Sequence, residues 1–258
     1  MNTTTSSPHT TSADGAPGAA AAQTVVQPLW DAPVRVLHGL MLLGLGGAWL
    51  TAETDGWRVL HISFGLLLAG AMLLRVLWGF IGTRPARFAS FVRGPSAVVA
   101  HLRALLAGQA GPHAGHNPAG GWATLALLLG GLLAAGSGWL TWAQGERWED
   151  VHEALANGML LLVGLHVAAV VLTGWLSRDR LIPAMVTGRK AVPVGTPPTR
   201  RMHRWLAVGM LAAALGFWVW SLGPTAPWQG AGSEVAHDGA GHERHHDRDH
   251  HNGQDKDD

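Results

Sequence analysis

The chain has 258 residues, 48% of them hydrophobic and only 14% charged. Soluble domains carry nearer a quarter charged residues, so a deficit gathered into long apolar runs marks a membrane protein. The formal net charge of +1 argues neither for nor against nucleic acid, and no nucleic-acid partner is expected. With no cysteine, disulfides, iron–sulfur clusters and covalently attached c-type haem are excluded.

Residues 1–24 are rich in Thr, Ser, Ala and Gly and contain no Lys or Arg. A secretory signal needs a basic stretch followed by an apolar core. Neither is present, so this stretch is expected to be a disordered tail, with the first apolar helix serving as the membrane signal. Five apolar runs follow, at about 34–52, 59–81, 121–142, 151–175 and 203–222. Each is close to the roughly 20 residues that cross a bilayer. Glycines recur within them, among them Gly44, Gly47, Gly65, Gly131 and Gly164. Small residues let helices pack closely, and they also leave room for a flat cofactor; the sequence does not separate the two. Thirteen tryptophans and no tyrosine are unusual. Trp30, Trp49, Trp57, Trp78, Trp122, Trp148, Trp175 and Trp205 fall at the ends of apolar runs, where interfacial anchors belong.

Orientation follows from the basic residues. Arg35 precedes the first run, Arg84, Arg87, Arg93 and Arg103 lie between the second and third, and Arg178, Arg180, Arg189, Lys190, Arg200, Arg201 and Arg204 lie around the connection from fourth to fifth. The opposite loops hold only Arg58 and Arg147, beside Glu53, Asp55, Glu146, Glu149 and Asp150. The N-terminus is therefore expected in the cytoplasm and the C-terminus outside.

The fourth run carries His152 and His166. Fourteen helical steps return to within roughly 40° of the same face, about 21 Å further along the axis. The two imidazoles thus point the same way near opposite surfaces of a hydrocarbon core about 30 Å thick. Ionisable groups inside a membrane are costly and are functional candidates. His38 in the first run and His61 in the second complete a set of four. With alternating topology, His61 and His152 share the outer depth, and His38 and His166 the inner depth. Two bis-histidine haem sites, stacked across the bilayer, follow from depth alone. Arg75 lies fourteen residues after His61, on the same face at the inner depth, where an inner-haem propionate would pair with it; the plain alternative is an arginine snorkelling to the surface. His101, His113, His116 and His203 fall in inner loops or at a helix end and read as ordinary polar residues.

The last stretch, 229–258, is polar and of low complexity, and is expected to be disordered. His237, His242, His245, His246, His250 and His251 stand there among acidic residues. Such tracts bind transition metals weakly, and a solvated tail with incidental affinity is the plainer reading.

Several segments resemble one family. Trp30-Asp31-Ala32-Pro33-Val34-Arg35-Val36-Leu37-His38 looks like the first-helix motif of bacterial diheme cytochrome b proteins, the group that includes cytochrome b561 and the b subunits of nickel–iron hydrogenases. Gly115-His116-Asn117-Pro118-Ala119-Gly120-Gly121, Val151-His152-Glu153, Leu165-His166-Val167 and Ala184-Met185-Val186-Thr187-Gly188-Arg189-Lys190 also match the pattern. The resemblance covers about 25–190 and implies an all-α, four-helix membrane bundle holding two b haems, with ligands from helices one, two and four. A linker and fifth helix (191–228) and the histidine-rich tail (229–258) fall outside it. It also implies exchange with quinone or quinol, Asn117 and Gly120 occupying the place where related b subunits line an inner quinone site; the plain alternative is a turn that starts a helix.

The expected function is transmembrane electron transfer between quinone and a periplasmic redox protein or catalytic subunit, as an electron-transfer component of a respiratory chain in the bacterial inner membrane. A freestanding oxidoreductase passing electrons from quinol to superoxide or ferric iron is a second reading. A metal transporter is disfavoured, because its site would lie near the midplane.

Overall fold

A computed structural model describes residues 23–54, 56–109 and 115–229. The histidine-rich segment, His113 and most of the N-terminal segment lie outside the described residues. Strand β1 (Thr24–Pro28) opens the described chain. It is followed by α1 (Ala32–Thr51) and α2 (Arg58–Ile81), a 3-10 turn at Arg84–Ala86, and the short α3 (Phe88–Phe91) and α4 (Pro95–Leu106). Helix α5 (Pro118–Gln144) leads through a 3-10 turn, Glu146–Trp148, into α6 (Glu149–Leu176). The short α7 (Leu181–Thr187), strand β2 (Arg189–Pro193) and α8 (Arg204–Ser221) complete it.

Among the described residues, five helices are long and apolar enough to cross a membrane: α1, α2, α5, α6 and α8. Their starts are written in the sequence. Asp31 caps α1, its carboxylate accepting the Val34 N–H at 2.9 Å, and a proline follows in the first turn. Asn117 caps α5 in the same way through the Gly120 N–H at 2.6 Å. Both use a short polar side chain to satisfy a donor the helix leaves open. Helix α6 begins with Glu149 and Asp150, which suit the positive end of the helix dipole.

Helices α1 and α2 pack as a close antiparallel pair, α5 packs on α2, α6 on α5, and α8 on α1 and α2. The close pair rests on missing side chains. A Cβ on Gly44 would lie 2.9 Å from the Leu68 backbone nitrogen, and one on Gly47 would strike the Phe64 ring. Gly131 sits against Met72 in the same manner. By contrast, Gly39, Gly46, Gly65, Gly136, Gly158 and Gly164 have nothing within 4 Å of such a Cβ. The glycines therefore divide into those that let helices touch and those that leave space. Large apolar residues such as Leu43, Leu73, Phe80, Leu129, Leu165, Trp175 and Leu215 point outward, as lipid-facing residues do.

One feature lies outside the all-helical expectation. Strand β1 pairs antiparallel with β2, Thr24 opposite Pro193 and Pro28 opposite Arg189. The segment before α1 is thereby tied to the segment after α7. Thr24, read above with the N-terminal segment, belongs to this strap. Leu29, Trp30, Val34, Leu37, Trp78, Ala86, Ala184 and Val192 bury one another here, joining the start of α1, the end of α2 and the strap.

Two tryptophans expected as interfacial anchors belong instead to this core: Trp30 is 6% exposed and Trp78 is 7% exposed. The indole N–H of Trp78 donates to Asp31 Oδ2 at 3.0 Å, so its polar edge is satisfied inside the protein. Trp49, Trp57, Trp122, Trp175 and Trp205 are exposed, as anchors should be.

Candidate functional site

The structure brings His61 of α2 and His152 of α6 together, with ring centroids 5.9 Å apart and planes at 82°. Imidazole nitrogens sit about 2 Å from a first-row metal, so two rings on opposite sides of one metal atom have centroids about 6 Å apart. At this separation His61 and His152 would be able to hold one iron atom between them. Each ring is also held by its other nitrogen. Nδ1 of His61 lies 2.9 Å from the Ala48 carbonyl of α1. Nδ1 of His152 lies 3.0 Å from the Ala134 carbonyl and 3.1 Å from Ser137 Oγ, both on α5. An Nδ1–H donated to a carbonyl leaves Nε2 unprotonated and fixes the ring, the usual support for a ligating histidine. Gly138 makes room for this ring: a Cβ there would lie 2.9 Å from His152 Cε1. Ser137, Gly138 and Ala134 are absent from the sequence-derived site because only the packing of α5 on α6 reveals them.

His38 of α1 and His166 of α6 lie within electrostatic reach of each other. All four histidines are half-buried. Helix α6, which carries two of them, leans on α5 and makes no extensive contact with α1 or α2. Gly65 has no neighbour within 4 Å of a Cβ, and it stands one turn from His61 on the same face of α2. Among the described residues, no three His, Asp or Glu side chains gather as around a bare metal ion.

Arg75 does not snorkel. It is 4% exposed, its Nη2 donates to the Ala86 carbonyl at 3.1 Å, and its guanidinium lies 5.4 Å from the centre of the Phe88 ring. Asn117 Oδ1 is engaged in capping α5, and a Cβ on Gly120 would meet that oxygen at 3.1 Å. This contact makes Asn117 the residue that starts α5.

Three residues read as ordinary loop groups turn out otherwise. The His116 ring packs edge-on against Trp30, centroids 4.8 Å apart, and tilted on Phe91 at 4.4 Å. Some of the residue's surface stays exposed, but Nδ1 is buried. Burial, and then the charges of Arg75, Lys190 and His166, push this imidazole down to about 3, so it is neutral. His101 is buried at 7% exposure, and His203 sits edge-on to Trp78, centroids 5.3 Å apart. Lys190, counted above as a loop charge, is buried, paired with Asp179 at 3.0 Å and donating to the Gly115 carbonyl at 3.3 Å. It links the strap, the segment after α6 and the loop before α5. The burial of Lys190 does not show in the local sequence, because the strap that carries it pairs segments more than 160 residues apart.

Searches of curated proteins and of solved structures each find no match. A family model described as prokaryotic cytochrome b561 matches residues 29–188. That match runs from just after β1 to just before β2 and takes in all four histidines and Arg75. An all-α membrane bundle, paired histidines and this match agree: the chain belongs to the prokaryotic cytochrome b561 family, membrane proteins that carry b-type haem and transfer electrons.

Proposed function

We propose that the chain carries two b haems, one near each membrane surface, and moves electrons between membrane quinone and a partner outside the cytoplasm. The observation that supports this most is the His61–His152 pair, whose rings stand at the separation axial ligation requires, each steadied through Nδ1. His61 and His152 would hold the outer group, and His38 and His166 the inner one. When bound, a bis-histidine haem supplies a one-electron centre with both axial positions filled, suited to electron transfer and not to oxygen binding. The work of the protein is to fix ligand orientation, exclude water with an apolar shell, and set charge around each site.

In this reading the N-terminus is cytoplasmic and the membrane is the bacterial inner membrane. Basic residues on the α2–α5 and α6–α8 connections support that orientation, although Lys190 is committed to structure. Asn117 and Gly120 would border an inner quinone site, supported by their place beside His116 at the start of α5. The outer partner would be a periplasmic redox protein or a catalytic subunit; a freestanding quinol oxidoreductase would need no such subunit. The histidines of the C-terminal segment would bind metal weakly and apart from electron transfer.

A redox titration of purified protein tests the reading. Two one-electron b-type transitions are expected. His152→Ala should remove the outer one and leave most of the inner, and His166→Ala should do the reverse. Loss of both transitions in each variant, or of neither, would contradict two separate sites.

A further inference from the structure

Arg75 is a buried cation with an open hydrogen-bonding position. Nη2 is used by Ala86, but Nη1 is buried without a partner. The carboxylate that acts on it, Asp31, is already engaged by the Val34 N–H, the Trp78 indole and the Thr83 hydroxyl. Buried charges are stable only when paired and fully hydrogen-bonded, so this guanidinium calls for a further anion.

A second open donor stands on the same wall. His116 Nδ1 is buried without a partner. Its ring rests on Phe91, Phe91 lies 5.8 Å from Phe88, and Phe88 lies beneath the Arg75 guanidinium. Arg75, Lys190 and His166 all act electrostatically on His116. The group is therefore cationic, lined by aromatic rings and beside an inner haem-ligand candidate. Lys190 is committed to Asp179 and Gly115, which leaves Arg75 and His116 as the two unused donors.

We propose that Arg75 Nη1 and His116 Nδ1 donate to one and the same carboxylate, a propionate of the haem held by His38 and His166. This makes His116 a cofactor-anchoring residue. The proposal rests on the two-haem reading above.

The test uses the full chain purified with its haems. Removing a donor leaves more negative charge on the propionate, which favours ferric iron. His116→Phe and Arg75→Gln should each shift the inner haem's midpoint downward and move its propionate bending band in resonance Raman spectra, with the outer haem unchanged. The double variant should shift by less than the sum, since both donors share one acceptor. Two finer variants decide the matter if His116→Phe loses haem. His116→Asn places an N–H near the Nδ1 position and should behave like wild type; His116→Gln places it near Nε2 and should show the shift. Wild-type inner potential and Raman band in His116→Phe, or equal behaviour of Asn and Gln, would overturn the clamp while leaving the two haems in place. A wild-type protein lacking the inner haem would overturn the underlying reading instead.

Discussion

Asp31 shows how much one side chain settles. It is 1% exposed and its two oxygens serve three donors: the first turn of α1, the last turns of α2 through Trp78, and Thr83 beyond it. The sequence displays it as a capping residue before an apolar run. Its grip on α2 is invisible there, because Trp78 lies 47 positions away. Asp31→Ala removes a cap and strands two donors, a loss of about 2–4 kcal/mol. Denaturation in detergent should show that loss; unchanged stability would mean that water or another acceptor replaces the carboxylate. Arg75 is the other decisive residue. Beside an inner haem, its charge would favour an ionised propionate and disfavour the more positive ferric iron. Arg75→Leu should lower the inner midpoint potential and leave the outer one nearly unchanged. Equal shifts in both haems would argue against a local contact.

At the scale of elements, the five long helices were legible to within about three residues at each end, since length, apolar composition and the Asp31 and Asn117 caps all act locally. The nearness of His61 and His152 was expected from helical geometry and alternating topology, which set depth along each helix. The strap was not legible: Thr24–Pro28 and Arg189–Pro193 are short and unremarkable alone, and only their pairing gives them structure. The second role of the glycines was also hidden, because a glycine that admits a neighbour and one that leaves space read alike. Gly138 is the first kind, and it bears on the outer pair. Gly138→Val would press on the His152 ring, where a Cβ alone already falls 2.9 Å from Cε1. The variant should lose most of the outer b-type signal in a reduced-minus-oxidised spectrum and keep the inner one. Retention of both signals would show that α5 and α6 can part without disturbing the ligand.

For the whole molecule, the architecture is a bundle closed at one end by the strap, with α6 standing away from α1 and α2 where the histidines face one another. Helix α8 packs on α1 and α2, and Trp218 meets Phe64 there with centroids 4.6 Å apart. It extends the bundle beyond the matched residues 29–188. An odd number of crossings by the five long helices would put the segments before α1 and after α8 on opposite sides of the membrane. A reporter active only outside the cytoplasm should work when fused after Asp258 and fail in the α2–α5 connection. The opposite result would invert the topology and exchange the inner and outer labels without touching the pairing. The pairing itself is the central claim, and haem stoichiometry tests it most directly. Pyridine haemochrome analysis of the purified full chain, set against protein concentration, should give two b haems per chain. One haem or none, under conditions that retain b haem in a parallel family member, would contradict it.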